Sequence, residues 1–300
     1  MRRGNSTPIE IFRRIATGNS RSNWFVRMDD GDRYVVRVEQ GGVFGTSSAE
    51  EFAFMGAAQR LGCAVAPPRW FEATGDVLGE PFFVMDFVDG VAEDRNDRSM
   101  SPELTHDFVG RLAELHATDW TGALDDLGDA AKVTPADATH VQIDRWYQLY
   151  RAESLTTIPL LEEGAAWLHH HAPPMERVSI VHGDPGPGNF VHDGRAVVAF
   201  TDWEFTHLGD AAEDWVYLVT MRGSRTMAPG EWAAVFDRVA GVRLSDEQIR
   251  FWSAFNYFKG ACANLTCRRV FASTNPAPNM GLIGTALHQT FVRGLAGAIA

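Results

Sequence analysis

Cysteine is scarce and unpatterned in this chain. Cys63, Cys262 and Cys267 are an odd number with no CxxC pair, so neither a disulfide framework nor a zinc knuckle is expected, and a reducing cytoplasm fits best. Basic charge is short as well: 27 Lys and Arg stand against 39 Asp and Glu, a formal net charge of -12. A surface that embraces nucleic acid or anionic lipid needs clustered Lys and Arg on the phosphates. No such cluster occurs, so neither partner is expected, whereas a cationic substrate is compatible with the charge without being required by it. Long apolar runs are missing too. The start, MRRGNSTPIE, has two arginines with no apolar stretch behind them, and nowhere do about 18 apolar residues run together uncharged. Neither a signal peptide nor a membrane span is expected, and no internal repeat is visible.

What is present can fold. With 300 residues, 45% apolar and 22% charged, the chain can bury a sizeable core. A single core stops growing near ~250–300 residues, so one large or two small domains are expected. Oligomeric state is unreadable.

The first ninety residues read as strands with one helix. Residues 23–28 and 33–38 are rich in β-branched and aromatic types and flank Asp29, Asp30, Gly31 and Asp32, a turn composition that predicts a hairpin. Ser48 followed by Glu51 has capping-box spacing, Phe52, Met55, Ala58 and Leu61 recur at helical intervals, and Gly62 supplies a stop. Pro67 and Pro68 break the chain, after which residues 70–72 and 81–88 form a second extended pair. The polar run 93–101 reads as a linker. Beyond it helices dominate: Leu104, Phe108, Leu112 and Leu115 share a face behind Pro102, and further helices are expected over 144–154, 159–171, 213–222, 231–240, 246–271 and 284–299.

The exception is 178–202. A short apolar strand, Val178 to Val181, runs into His182, Gly183 and Asp184. Pro185, Gly186, Pro187 and Gly188 bar helix and strand alike, so Asp184 and Asn189 end an exposed loop. Two short strands, 190–192 and 197–201, then lead to Asp202. With a two-residue turn at Asp193 and Gly194, Asn189 would face Val198. A four-residue loop over 193–196 instead puts Asn189 opposite Phe200, close enough to Asp202 for the two to share one cation. That register is preferred because magnesium takes oxygen ligands and needs few from protein when substrate phosphates complete its shell. Phosphoryl transfer asks for a carboxylate to orient and deprotonate a hydroxyl, metal ions on the phosphates and a fixed cation. Asp184 suits the first role; Asn189 and Asp202 suit the second.

The spacing from His182-Gly183-Asp184 to Asn189 and then Asp202-Trp203-Glu204 resembles the catalytic and metal-binding motifs of the aminoglycoside phosphotransferase and choline kinase-like family, relatives of the protein kinases. The resemblance spans roughly residues 12 to 220. It implies an α+β, two-lobe protein-kinase-like fold: a small antiparallel β-sheet lobe, residues 1–88, that binds nucleotide, and a larger mainly helical lobe, residues 89–300, that carries catalysis and the acceptor site. Gly18 through Asn23 resembles the phosphate-covering turn, so Ser20, Ser22 and Asn23 are implied at the nucleotide. Glu51 resembles the acid of the family's first helix, and Met85, Asp86, Phe87 and Val88 its hinge against adenine. Arg37 stands where the family usually presents lysine. Branches resembling the phosphotransferase-like domain attached to acyl-CoA dehydrogenases also carry arginine there, and FFVMDFVDG reads like theirs. Arginine can grip Glu51 bidentately.

The implied activity is transfer of phosphate from ATP or GTP, with Mg2+, to the hydroxyl of a small molecule, such as an aminoglycoside, a macrolide or a metabolite. The alternatives are a catalytically silent nucleotide-binding module and a metal-dependent hydrolase built on His182, Asp184 and Asp202. Around the motif, His182 is expected to be structural, bonding to backbone near Asp202. The acids between Asp202 and Asp214 allow an acidic rim facing the acceptor. Glu213 is read as part of a solvated helix start, and Asp210 and Asp214 as loop-fixing. His169, His170 and His171 read as a helix end, and Phe251, Trp252, Phe255 and Phe258 as core.

Overall fold

The computed structural model describes residues 8–15, 21–92, 100–273 and 278–300. Its small lobe is an antiparallel sheet built from β1 (Pro8–Ile15), β2 (Arg21–Met28), β3 (Arg33–Glu39), β4 (Pro68–Glu72) and β5 (Phe82–Asp86), in the order β1-β2-β3-β5-β4. The β2–β3 hairpin forms where the turn composition predicts it: Gly31 takes a φ of 89°, and Asp30 Oδ1 accepts the Asp32 N–H at 3.0 Å. Strand β1 lies upstream of the first expected strand and pairs with β2.

Helix α1 (Ser48–Arg60) packs its apolar side on this sheet, where Phe52 stacks on Phe71 with ring centroids 5.6 Å apart. Its cap differs from the expected one. Ser47, not Ser48, accepts the Ala49 N–H, at 3.1 Å. Glu51 consequently lies on the inner face, buried, with its carboxylate turned to arginines rather than to the helix end.

Past β5 the chain crosses to the larger lobe. Strand β6 (Val91–Ala92) pairs with β8 (Phe190–His192), which pairs with β9 (Val197–Phe200). Gly90 makes the crossing possible, because a Cβ there would sit 2.7 Å from the His192 carbonyl oxygen. Most of the expected linker, residues 93–99, lies outside the described residues.

Helix α2 (Pro102–Ala117) is capped by Ser101, and its Leu104, Phe108, Leu112 and Leu115 are buried as the periodicity predicts. Helix α3 (Ala138–Glu153) starts six residues before the expected 144, because Thr139 and Gln142 are polar residues on its buried face and break the apolar pattern. Helix α4 (Pro159–His171) ends in the three histidines, of which His170 and His171 are exposed. After β7 (Ser179–Val181), β8 and β9 comes β10 (His207–Gly209), which pairs with β7. Then follow α5 (Ala212–Tyr217), a wide π-type turn over Leu218–Arg222, α6 (Pro229–Ala240), α7 (Asp246–Phe271), α8 (Pro278–Leu282) and α9 (His288–Ile299). Strand β10 has no periodicity long enough to be legible, and the helix expected over 213–222 is interrupted by the π turn.

Helix α7 is the spine of the larger lobe. Phe251, Trp252, Phe255 and Phe258 are buried as expected, and α9 crosses α7 closely through two glycines. A Cβ on Gly260 would enter the Phe291 ring, and one on Gly294 would enter the Tyr257 ring. For Gly260→Ala, better helix propensity favours the variant by about 1 kcal/mol, but overpacking in a close-packed core costs about 1–3 kcal/mol. The collision is with ring atoms deep inside van der Waals range, so overpacking wins. Gly260→Ala is expected to lower the midpoint of urea unfolding, and an unchanged or raised midpoint would show that α9 shifts freely.

Candidate active site

The site begins where β7 delivers the chain into His182. The backbone N–H groups of His182 and Gly183 donate to Asp214 Oδ2 and Oδ1, each at 2.8 Å, and His116 Nε2 meets Oδ2 at 2.8 Å. From the other side, Lys259 on α7 donates to the Gly183 carbonyl at 2.8 Å and to Glu213 Oε1 at 2.6 Å. Gly183 has a φ of 80°, and a Cβ there would strike the Phe205 carbonyl. One residue in a glycine-only conformation is thus gripped through both its N–H and its C=O by buried charges.

His182 is buried, and burial holds its pKa below the ordinary value. Its Nε2–H donates to the Thr201 carbonyl at 3.1 Å, and Nδ1 accepts the Asp184 N–H at 3.4 Å. A neutral imidazole therefore ties the loop before Asp184 to the strand before Asp202, the structural role expected of it.

The hairpin between Asn189 and Asp202 departs from the expected register by one residue. The four-residue loop is present, with His192 opposite Val197, but a bulge follows and leaves Val198 unpaired and exposed, so Phe190 pairs with Phe200. Asn189 then faces Thr201, whose N–H donates to the Asn189 carbonyl at 2.9 Å, not Phe200. The bulge breaks the strict alternation on which the expected register relied, and it sets Asn189 one residue nearer Asp202. Asp202 itself adopts a left-handed conformation, φ 64° and ψ 55°. A non-glycine residue held there stores strain, of the kind that gathers at ligand sites.

Two of the expected site residues, Asp184 and Asn189, meet directly. Asn189 Nδ2 donates to Asp184 Oδ2 and to the Asp184 carbonyl, both at 2.8 Å. Its Oδ1 is buried and has no hydrogen-bond partner among the described residues. Such an orphaned acceptor is costly unless something supplies positive charge. Asp202 Oδ1 accepts from Arg37 Nη2 at 2.6 Å.

Arg37 bridges the two lobes. Its Nε lies 2.8 Å from Glu51 Oε1, its Nη1 donates to Asn23 Oδ1 at 3.5 Å, and its Nη2 reaches Asp202. The guanidinium fork is therefore split between partners rather than closed bidentately on Glu51 as the sequence suggested, because Asp202 competes for it. Ser22 accepts from Gln40, and Ser20 lies outside the described residues. In the hinge, Asp86 is engaged by Arg69 at 2.7 Å, and the Phe87 ring meets Phe25 edge-on at 5.1 Å, under the Arg33 guanidinium. Met85 and Val88 pack against the core.

The expected acidic rim is absent among the described residues. Glu213 does not belong to a solvated helix start: it is buried between Lys259 and His207, 3.1 Å from the latter. Burial alone would raise its pKa, but the Lys259 and His207 charges carry it below the ordinary value. Asp210 accepts the Ala212 N–H at 2.8 Å, and Asp214 fixes the loop, both as expected. Glu204 is buried 3.9 Å from Arg21, and burial, then the Asp202 charge, push its carboxyl up to about 8. Of the histidine run, His169 bonds to Asp144 at 3.0 Å and gathers no metal-ligand cluster among the described residues.

The sequence left one site residue unmarked. Arg222, at the end of the π turn, closes on Asp184 with both arms: Nε donates to Oδ1 at 2.6 Å and Nη2 donates to Oδ2. Gly186 admits it, since a Cβ there would lie 2.9 Å from Arg222 Cβ. Nothing local to Arg222 signals this role; the only available hint was that the glycines at 186 and 188 implied a close neighbour.

Comparison with known proteins adds the following. The family model for the phosphotransferase enzyme family, APH, matches residues 11–252. Acyl-CoA dehydrogenase family member 10 of Mus musculus is 27% identical over 220 residues, 70% of this chain and 20% of that protein. The chain spans between 20% and 35% of the length of the first curated relatives it matches. Among solved structures, a Ralstonia eutropha protein described as an aminoglycoside phosphotransferase superposes with a TM-score of 0.69 at 23% identity, covering 99% of this chain and 93% of that one. Choline kinase from Streptococcus pneumoniae does so with a TM-score of 0.66 at 14% identity, covering 98% and 95%. At such identities the likeness establishes the two-lobe kinase-like fold.

The loop anchor yields a pH-dependent expectation. Burial presses the Asp214 carboxyl upward, yet hydrogen bonding and charge from His116, with His182 behind, carry its pKa below the ordinary value. A depressed pKa contributes stability that is complete above the unfolded carboxyl range and disappears as pH falls through the folded value. Asp214→Asn is therefore expected to cost about 3 kcal/mol near neutral pH, read as a shift in urea midpoint. The gap between wild type and variant should narrow below about pH 4. A gap that stays constant down to that range would contradict the ionised anchor.

Proposed function

Because the chain belongs to the phosphotransferase enzyme family, we propose that it transfers the γ-phosphoryl group of ATP, or of GTP, to the hydroxyl of a small molecule with the help of Mg2+. The observation that carries this reading is the buried, unpartnered Asn189 Oδ1 beside Asp184, in a hairpin that ends at the strained Asp202. Amide and carboxylate oxygens are the donor set of a hard cation. The residues present fit Mg2+, with Asn189 and Asp202 as its protein ligands. Bound there, it would supply charge neutralisation to the nucleotide phosphates.

The chain's own groups do the rest. Asp184 orients the alcohol and accepts its proton as the alcohol oxygen bonds to the γ-phosphorus. The bond from that phosphorus to the β–γ bridging oxygen breaks, and ADP leaves with the electron pair. Arg37, anchored by Glu51 at 2.8 Å, presents a permanent cation to the phosphates in the place of lysine. Ser22 and Asn23, near the start of β2, cover them together with Ser20, which lies outside the described residues. Backbone of Met85, Asp86, Phe87 and Val88 faces adenine, and the division between nucleotide-binding and acceptor-binding lobes falls between residues 88 and 89.

Both ring nitrogens of His182 are engaged, Nε2 with the Thr201 carbonyl and Nδ1 with the Asp184 N–H, so it has no lone pair left for a metal, which argues against the hydrolase reading. A silent nucleotide-binding module is favoured by one feature, the engagement of both Asp184 and Asp202 by arginines. One assay decides between them. Asp184→Asn is expected to reduce ADP release with an acceptor about a thousandfold while nucleotide affinity, measured by calorimetry, holds. Asp202→Asn is expected to remove the magnesium dependence of nucleotide binding. Equal turnover by wild type and Asp184→Asn would refute Asp184 as the base, and nucleotide binding without turnover on any acceptor would favour the silent module.

A further inference from the structure

We propose that the acceptor carries an anionic group, a carboxylate or a phosphate, close to its reactive hydroxyl, and that this group draws the Arg222 guanidinium off Asp184 as the hydroxyl arrives. The inference rests on the phosphoryl-transfer reading above and names the substrate class of that site.

The first observation is occupancy of the base. A carboxylate offers roughly four acceptor positions. On Asp184, Arg222 Nε takes one on Oδ1, while Arg222 Nη2 and Asn189 Nδ2 take two on Oδ2. One position on Oδ1 is left, and an alcohol there would share that oxygen with Arg222 Nε, whose charge weakens its pull on the alcohol proton; the two positions held by Arg222 are the ones that can be vacated. Asn189 is fixed by its second bond to the Asp184 carbonyl.

The second observation is that Arg222 is a built recognition group. Its planar fork already closes on a carboxylate, the geometry it would use on a substrate carboxylate or phosphate. It sits at the end of a π-type turn, Leu218–Arg222, a helical irregularity that recurs at functional sites. Gly186 is kept bare for its approach, and 17% of its side-chain surface stays open to solvent. An anion reaching from the cleft can therefore contact it.

The third observation concerns charge. A cationic acceptor would bring its ammonium against the Arg222 guanidinium. The acids that might have compensated are committed inside the protein: Glu213 to Lys259 and His207, Asp214 to the loop backbone and His116, Asp210 to the Ala212 N–H. Exchange of the Asp184 carboxylate for a substrate anion keeps the Arg222 guanidinium paired throughout. Freed, Asp184 takes the hydroxyl proton as the oxygen–phosphorus bond forms and ADP departs.

The test is ADP release across matched acceptors: short hydroxy acids, polyol monophosphates, the corresponding neutral diols and the corresponding amino alcohols. An anionic member is expected to have a KM at least about tenfold below its neutral and cationic counterparts. Arg222→Gln should raise that KM by about tenfold or more, with Arg222→Lys recovering part of the loss. Whether hydroxy acids or monophosphates lead identifies the anion. A neutral or cationic member with an equal or lower KM, or an Arg222→Gln enzyme with unchanged KM for the anionic member, overturns the proposal. Melting temperature with Mg-ADP and millimolar 3-hydroxybutyrate or glycerol 3-phosphate reads the site without turnover. A rise in wild type that Arg222→Gln lacks supports the anion site, and no rise with either compound overturns it. Such a rise with no ADP release from any acceptor class would sink the phosphoryl-transfer reading instead of the anion site.

Discussion

The grip of Asp214 and Lys259 on the two sides of Gly183 is the interaction on which the site depends. A loop written HGDPGPGN has no helix or strand to hold it, and its backbone groups are buried, so they need partners or cost free energy. The protein answers with charges. Asp214, at the start of α5, accepts two successive N–H groups, and Lys259, halfway along α7, donates to the carbonyl that follows them. Burying such ions is expensive unless each is fully paired. Glu213 and His207 complete Lys259, and His116 completes Asp214. The helices of the larger lobe thus act as a frame that positions one short loop.

A second chain of charges joins the lobes. Arg21 lies 3.6 Å from Glu51, Glu51 pairs with Arg37, and Arg37 reaches Asp202 across the cleft. Three of these four side chains are almost wholly buried. Because Arg37 divides its fork between the α1 acid and the Asp202 carboxylate, the positions of α1, β3 and the end of β9 are mutually dependent. A backbone bond from the Phe200 N–H to the Ala64 carbonyl, 2.8 Å long, reinforces the same junction. The arginine in place of lysine matters here: a point charge could not span two carboxylates in different directions, whereas a planar fork can.

Both catalytic carboxylates of the proposed mechanism are consequently held by guanidinium groups, Asp184 by Arg222 and Asp202 by Arg37. The arrangement keeps each acid paired and oriented before any substrate is present. In the proposed mechanism, binding is an exchange of partners, in which phosphates and an acceptor anion would replace protein carboxylates on the arginines.

Local composition and spacing were enough to indicate the hairpin at 29–32, the apolar face of α2, the core side of α7 and the HGDPGPGN loop ending at Asn189, because each depends on neighbours a few residues apart. They misplaced what is set by competition at a distance. Ser48 and Glu51 have the spacing of a cap, but Ser47 caps the helix and Glu51 answers to Arg37. A four-residue loop with unbroken pairing put Asn189 opposite Phe200, whereas a bulge at Val198 moved it opposite Thr201. Glu213 has the look of a helix-start acid and is instead buried on Lys259, 46 residues away. By itself, then, the sequence determined the fold class and marked Asp184, Asn189 and Asp202 as candidates, since these lie within one short stretch of chain. Only the tertiary structure decided which charges reach them, because Arg37, Arg222, Asp214 and Lys259 come from separate elements, and which carboxylate each pairs with depends on how the helices and the sheet close around the loop.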